Sequence, residues 1–266
     1  MELKTATGVL EERLIDAPFL EAARTAGASE AVERYVDEKR RAVAGGLRFI
    51  EKHQSEPWRE GCVFHCIGPM RSGKSLVAQA VVEEWTSSRG FDVLNVSSEV
   101  DTRSPGQLVS RCGCDPVESQ NIESLDVDSL VNFSGVLRLD EEQYFPLEVL
   151  ERIVRARTRR GFVTVCSGLD MDYTANPWPS ADVYADLARQ LTDQLATARL
   201  HAICGVCHDE AEFSQLKVPD ENGLLVPAPS NLFEGSIAPE GGDLVFTPVC
   251  RRHHEVGDPI NDFVDL

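Results

Sequence analysis

The chain has 266 residues and a formal net charge of −18. That length can bury a sizeable core, and the acidic balance excludes a protein that coats nucleic acid or binds an anionic membrane, since both need a basic face. No apolar run is long enough to cross a bilayer, and the start Met1-Glu2-Leu3-Lys4 lacks the basic start and apolar core of a signal peptide, so the expectation is a soluble, cytoplasmic protein with reduced thiols.

Residues 1–60 read as a helical N-terminal extension. Leu10, Leu14, Phe19 and Leu20 form one apolar pattern, Ala31, Val32, Tyr35 and Val36 a second, and Leu47, Phe49 and Ile50 a third. The stretch Thr25-Ala26-Gly27-Ala28-Ser29 reads as a break, with Ser29 as the N-cap of the next helix. No chemistry is visible here, and packing on the core or on another subunit is the expectation; a regulatory or partner-docking role is the sharper alternative. Ser55-Glu56-Pro57-Trp58 ends the segment.

Cys62-Val63-Phe64-His65-Cys66-Ile67 is a short, mostly apolar run suited to a buried strand, and Leu76 to Trp85 reads as a helix. Between them, Gly68-Pro69-Met70-Arg71-Ser72-Gly73-Lys74-Ser75 fits the phosphate-loop pattern G-x-x-x-x-G-K-[ST] in full. The glycines let the backbone curl round an anion with its N–H groups inward. Lys74 adds a mobile cation, the Ser75 hydroxyl can ligate Mg²⁺, and the following helix offers its positive end. A plain Gly/Ser turn is the bland alternative, and the strand before and helix after favour nucleotide binding.

Phe91 to Val96 is a second strand. The polar stretch from Ser104 to about Ser134 reads as loop with one helix at most. Gly135 to Leu139 is a strand running into Asp140-Glu141-Glu142-Gln143-Tyr144-Phe145, and Pro146 to Arg160 is a helix with Leu147, Leu150 and Val154 on one face. Gly161 to Cys166 is the next strand, about Ala181 to Ala198 another helix, and Leu200 to Ile203 a last core strand. Strands alternating with helices predict an α/β fold of the P-loop NTPase type, with a mostly parallel sheet covered by helices on both faces.

An acidic residue closing a strand is the usual partner of a phosphate loop. Asp140 would hold Mg²⁺ through water opposite Ser75, and Glu141 could accept a proton from an attacking hydroxyl. An acidic cluster at a helix entry is the bland alternative; with the phosphate loop present the catalytic reading is preferred. A second constellation pairs Cys204-Gly205-Val206-Cys207 with Cys250-Arg251-Arg252-His253. Two C-x-x-[C/H] pairs fit a tetrahedral Zn²⁺ site of three thiolates and one imidazole, and four protein ligands leave no vacancy, which makes the zinc structural. His254 stands next door and could replace His253. The remaining five of the eight cysteines, Cys62, Cys66, Cys112, Cys114 and Cys166, read as packing groups.

Several of these stretches together resemble the type II thymidine kinases. Gly68-Pro69-Met70-x-Ser72-Gly73-Lys74-Ser75 looks like that family's phosphate loop, Asp101-Thr102-Arg103 like its D-T-R, and Asp140-Glu141-x-Gln143-Tyr144-Phe145 like its D-E-x-Q-F-F. Gly168-Leu169-Asp170-x-Asp172-Tyr173 with Pro177-Trp178 is similar to its G-L-D-x-D-F and P-F, and the cysteine pairs are similar to its zinc-bound lasso domain. The resemblance covers about residues 61 to 254 and divides the chain into the extension 1–60, a kinase domain 61–200 and a lasso domain 201–266.

The resemblance implies transfer of the γ-phosphate of ATP to the 5′-hydroxyl of thymidine or deoxyuridine, as in pyrimidine salvage. Glu141 would be the general base, with Lys74 and Arg103 at the phosphates and Gln143 on the nucleotide side. Asp101 would lie near the sugar. Met70, Tyr144, Leu169, Tyr173 and Trp178 would wall the base pocket, with Ser214, Gly241 and Phe246 supplied by the lasso. ATP, Mg²⁺ and structural Zn²⁺ are the implied cofactors, dTTP a feedback inhibitor, and a homotetramer the assembly; neither nucleic acid nor membrane is a partner. The departures cluster on the nucleoside side: Tyr173 and Trp178 replace phenylalanines, Leu216 stands at the place of an arginine, Phe246 at that of a tyrosine, the acidic residue after Gly241-Gly242 shifts to Asp243, and the loop from Lys217 to Asp243 is long. On the ATP side Arg71 replaces an uncharged residue. Two other readings compete: a nucleotide-binding regulatory or assembly protein that kept the fold and lost the activity, and a P-loop ATPase acting on DNA or protein.

Overall fold

The computed structural model describes residues 17–55, 59–87, 89–98, 106–108, 116–233 and 245–259. Asp101, Arg103, Gly241, Cys112 and Cys114 lie outside them. Two helices come first, α1 (Pro18–Thr25) and α2 (Ser29–Gln54). Along α2 the buried residues Val32, Tyr35, Lys39, Val43, Gly46, Ile50 and His53 recur every three or four positions, which places them on one stripe. Ser29 is the first helical residue rather than the cap: Ala28 occupies the cap, and no side chain bonds there.

The core then alternates: β1 (Cys62–Ile67), α3 (Lys74–Ser87), β2 (Val93–Ser97), the short β3 (Gln107–Leu108), β4 (Val117–Glu118) and β5 (Gln120–Asn121), α4 (Val127–Asn132), β6 (Val136–Asp140), α5 (Leu147–Arg159), β7 (Val163–Gly168), α6 (Pro179–Leu191) and β8 (Leu195–Arg199). Six of these strands form one parallel sheet in the order β5-β2-β6-β7-β1-β8. β1 lies inside it, and its side chains alternate between the two faces. Cys62, Phe64 and Cys66 join the cluster made with α1, α2 and α3, while Val63 joins that made with α4, α5 and α6. The polar stretch before residue 134 thus contains more order than its composition suggested: a β3–β4 pair, an edge strand and α4, whose Asp126 cap accepts from Ser129 N at 3.1 Å.

Two expectations are corrected at the end of the core. The helix predicted to Ala198 stops at Leu191, because Thr192 takes φ 49°, ψ −103° and turns the chain out of the helix. Leu195-Ala196-Thr197-Ala198-Arg199, whose alanines suggested helix, is β8 and pairs in parallel with Val63–Ile67. Leu200–Ile203 is consequently not the last core strand. Its end, β9 (Ala202–Ile203), pairs antiparallel with β10 (Glu210–Ala211) in the small C-terminal unit, where β11 (Phe213–Pro219) lies between β12 (Leu225–Pro227) and β13 (Val245–Val249).

Arg157, fully buried on α5, binds this core from within. Its guanidinium donates to the carbonyls of Leu130, Phe133, Gly135 and Val163 and to Thr164 Oγ1, so it fastens the end of α4 and the starts of β6 and β7 to one helix. Burial pulls its pKa down to about 10, which leaves it charged at neutral pH with carbonyl dipoles as its partners. Among the described residues no helix is long and apolar enough to cross a membrane.

Candidate active site

The phosphate loop sits where the sheet's order turns back, between the C-terminal end of β1 and the N-terminus of α3, a position at which parallel sheets open a crevice. Gly68 (φ 145°) and Gly73 (φ 81°) take conformations that a side chain resists, and at Gly68 a Cβ would lie 2.0 Å from the Leu200 carbonyl oxygen. Arg71 is left-handed too, at φ 61°, with its side chain exposed. Lys74 Nζ donates to the Pro69 carbonyl at 2.9 Å. Ser72 is fully buried, and its hydroxyl has no hydrogen-bond partner among the described residues. An orphaned hydroxyl inside a loop at the positive end of a 14-residue helix is suited to a phosphate oxygen.

Asp140 reaches this loop from the end of β6. Its carboxylate accepts from Ser75 Oγ at 3.0 Å and from Ser167 Oγ, and Arg138 Nη2, 3.5 Å away, also donates to the Ser75 carbonyl at 3.1 Å. The Asp140 carboxylate and the Ser75 hydroxyl are the oxygen ligands a hydrated divalent cation would use, and Arg138 holds the carboxylate in place from behind. Glu141 follows in a left-handed conformation (φ 51°), which turns its side chain away from the direction of β6 into a 3₁₀ turn over Glu142–Tyr144. Gln143 fixes that turn from both ends of its amide: Nε2 donates to Glu141 at 2.7 Å, and Oε1 accepts from Leu169 N at 2.9 Å. Beneath it, buried Glu142 bonds His65 Nε2 at 3.1 Å. At Gly168 a Cβ would lie 2.3 Å from Glu142 Oε1, so a side chain there would displace the Glu142 carboxylate.

Beside the loop lies a cavity of about 350 Å³. Met70, Tyr144, Leu169, Tyr173, Trp178, Ser214 and Phe246 all line it, so seven residues scattered over the sequence meet at one wall system. Tyr144 and Trp178 pack edge to face at 5.5 Å between centroids, a favoured aromatic arrangement that fixes both rings in the cavity wall. Ser214 Oγ accepts from Met70 N at 2.9 Å and so joins the phosphate loop to β11 of the C-terminal unit. Sequence reasoning missed Asn176, Ser230, Asn231 and Phe233, which also line the cavity, and read Asp172 as a motif residue without placing it there. Asp172-x-Thr174-x-Asn176 carried a signal in retrospect, because Asp172 Oδ1 accepts from the backbone N–H groups of Thr174 and Asn176 in a side-chain-stabilised turn. The 229–233 wall carried none; it is placed by Tyr173, whose hydroxyl donates to the Pro229 carbonyl at 2.9 Å and whose ring meets Phe233 edge-on.

Cys204, Cys207, Cys250 and His253 stand with their ligand atoms within 4.8 Å of one another. Cys207 Sγ and Cys250 Sγ are 3.7 Å apart, and His253 Nδ1 is 3.7 Å from Cys204 Sγ and 3.3 Å from Cys250 Sγ. A tetrahedron of thiolates at zinc–sulfur distance has edges of about 3.8 Å, so the donors fit a structural Zn²⁺. At Cys250 the surroundings favour thiolate: although burial opposes it, His253 and the Arg252 N–H hold its pKa down at about 6. Burial, then the neighbouring sulfurs, pushes Cys207 up to about 11. The choice between the histidines falls to His253. His254 turns the other way, with Nε2 2.9 Å from the Tyr173 carbonyl and its ring stacked on Phe213.

Parallel sheet, phosphate loop, acidic strand end and aromatic cavity define a phosphate-loop nucleotide-binding enzyme with a cavity at the loop's flank. A family model described as thymidine kinase matches residues 61–254. A thymidine kinase of Ureaplasma urealyticum serovar 10 is 28% identical over 198 residues, covering 71% of this chain and 80% of that one. One from Bacteroides thetaiotaomicron is 28% identical over 213 residues (77% and 92%), and one from Oryza sativa subsp. japonica 27% identical over 226 residues (79% and 71%). The chain belongs to the thymidine kinase family and is a kinase.

Proposed function

We propose that the protein transfers the γ-phosphate of ATP to the 5′-hydroxyl of thymidine or a closely related pyrimidine deoxynucleoside. One observation carries the reading: the same loop serves both pockets. Its Ser75 is bonded to Asp140, while its Met70 lines the aromatic cavity, so a phosphate cradled by the loop and a base in the cavity would share the loop as a common wall. In this reading Lys74 and Ser72 bind phosphate oxygens, and Ser75 with Asp140 holds Mg²⁺, which would neutralise charge on the transferring group. Glu141 takes the proton of the 5′-hydroxyl, kept in place by Gln143. Arg103 and Asp101 act at the phosphates and sugar, and Gly241 with Ser214 and Phe246 closes the base pocket. The divisions near residues 60 and 200, a tetrameric assembly and inhibition by dTTP belong to the same reading.

The test is product detection. The protein would be incubated with ATP, Mg²⁺ and a panel of deoxynucleosides that includes 5-substituted deoxyuridines, and 5′-monophosphates sought by mass spectrometry. Thymidine or deoxyuridine monophosphate is the expected product. A second reading, a nucleotide-binding regulator without turnover, is favoured by Leu216: it is fully buried in the apolar cluster with Tyr173 and Ala228, so that position offers the substrate no cation. ATP binding with no product from any nucleoside would decide for it.

A further inference from the structure

Helix α2 precedes the family match, which begins at residue 61. One turn of it nevertheless touches both the phosphate loop and the segment that leads from β8 to β9. The Tyr35 hydroxyl donates to the carbonyl of Arg71 at 2.9 Å, in the middle of the phosphate loop and at its left-handed residue. Tyr35 is 4% exposed, so this bond is shielded from water. The contact is close along its length: a Cβ on Gly73 would lie 3.0 Å from the Tyr35 hydroxyl and 3.3 Å from Lys39 Cε. Lys39, fully buried, places Nζ 3.8 Å over the Tyr35 ring and donates to the His201 carbonyl at 2.6 Å. Glu38, paired with Lys39, accepts from His201 N at 3.1 Å and meets His201 Nδ1 at 2.7 Å. His201 follows Leu200, the residue whose carbonyl lies against Gly68, and precedes β9 of the zinc-ligand unit.

We propose that Tyr35 is a positioning residue for ATP: its hydroxyl holds the Arg71 carbonyl so that the phosphate loop is set before nucleotide arrives, and the Glu38–Lys39–His201 contacts hold Tyr35 in place. A left-handed non-glycine residue costs roughly 1–2 kcal/mol, so this loop conformation needs support from outside the loop, and α2 supplies it. The proposal rests on the loop's being the ATP site. It does not rest on which nucleoside is phosphorylated.

Tyr35→Phe removes the bond and keeps the ring, the burial and the stacking with Lys39. ATP affinity would be read directly, by calorimetry with a non-hydrolysable ATP analogue and Mg²⁺, alongside KM for ATP, KM for nucleoside and Tm. The expected result is a Kd and a KM for ATP raised about 5-fold, in line with the loss of one hydrogen bond, with nucleoside KM within error of the parent. Lys39→Met, which keeps the aliphatic stem but releases His201, should weaken ATP binding in the same direction. Unchanged ATP affinity in Tyr35→Phe, or equal changes for ATP and nucleoside tracking a fall in Tm, would overturn the proposal. Should the parent bind ATP yet phosphorylate no nucleoside, the kinase reading fails while the binding measurement still decides the role of Tyr35.

Discussion

At the scale of single residues, the groups that were legible in the sequence are those whose chemistry is fixed by near neighbours. The phosphate loop is contiguous, Asp140 and Glu141 follow one strand, and the C-x-x-C spacing brings two sulfurs together by local geometry. Tyr35 was readable only as one apolar position in a helical stripe, because the carbonyl it meets lies 36 residues away. Asn231 and Phe233 belong to a segment whose placement depends on Tyr173. Glu142 and His65 likewise form a pair that neither position announces. Glu141→Gln tests the sharpest of the local readings. The Gln143 amide that now donates to Glu141 can donate equally to a glutamine carbonyl, so the turn should survive. Loss of the base should lower kcat by roughly 10²- to 10⁴-fold, with ATP affinity unchanged when measured by equilibrium binding. A parent-like turnover rate would remove Glu141 from the mechanism.

At the scale of elements, hydrophobic period located β1, α3, β6, α5 and β7 well, because each buries a complete face. It failed where burial is partial. β8 is the edge of the sheet, with Thr197 and Arg199 exposed, so its residues carry neither a strong alternation nor a solid apolar run. Its alanines extended the helical pattern of α6 instead, and only the conformation of Thr192 marks the boundary. That conformation suits glycine and strains a β-branched residue. Thr192→Gly should therefore raise stability by about 0.5–1 kcal/mol, relief of strain outweighing the entropy cost of glycine in the unfolded chain. At this chain length that is a rise in Tm of about 1–4 °C by calorimetry. A fall in Tm would show that the turn is not strained.

At the scale of the whole molecule, two kinds of cohesion coexist. The parallel sheet is closed by two apolar layers and by Arg157. The C-terminal unit has two much smaller clusters, Ala202, Ala211, Phe213 and Val249 around the cysteines and Leu216 and Ala228 with Tyr173, too little to hold five short strands without a further link. Zinc held by Cys204, Cys207, Cys250 and His253 would supply that link. Chelation at neutral pH should therefore loosen the C-terminal unit first. Proteolysis would then cut beyond residue 201 while the far-ultraviolet signal of the sheet and helices largely persists, and added Zn²⁺ would restore protection. One cooperative transition, unaffected by chelator, would contradict this division of labour.

The cover that α2 lays over the sheet also bears on how such a gene can change. The family signature begins at residue 61, yet Val32, Val43 and Ile50 belong to the same apolar cluster as Phe64, Val77 and Val81. Gly46 packs where any larger residue would strike the Phe64 ring at 2.7 Å. The recognisable ancestry and the heritable folding unit therefore have different left-hand edges. A recombination joint placed at the edge of the signature would cut through a shared interior, and a lineage could exchange the leading segment only by replacing its glycine notch and its apolar stripe in the same event.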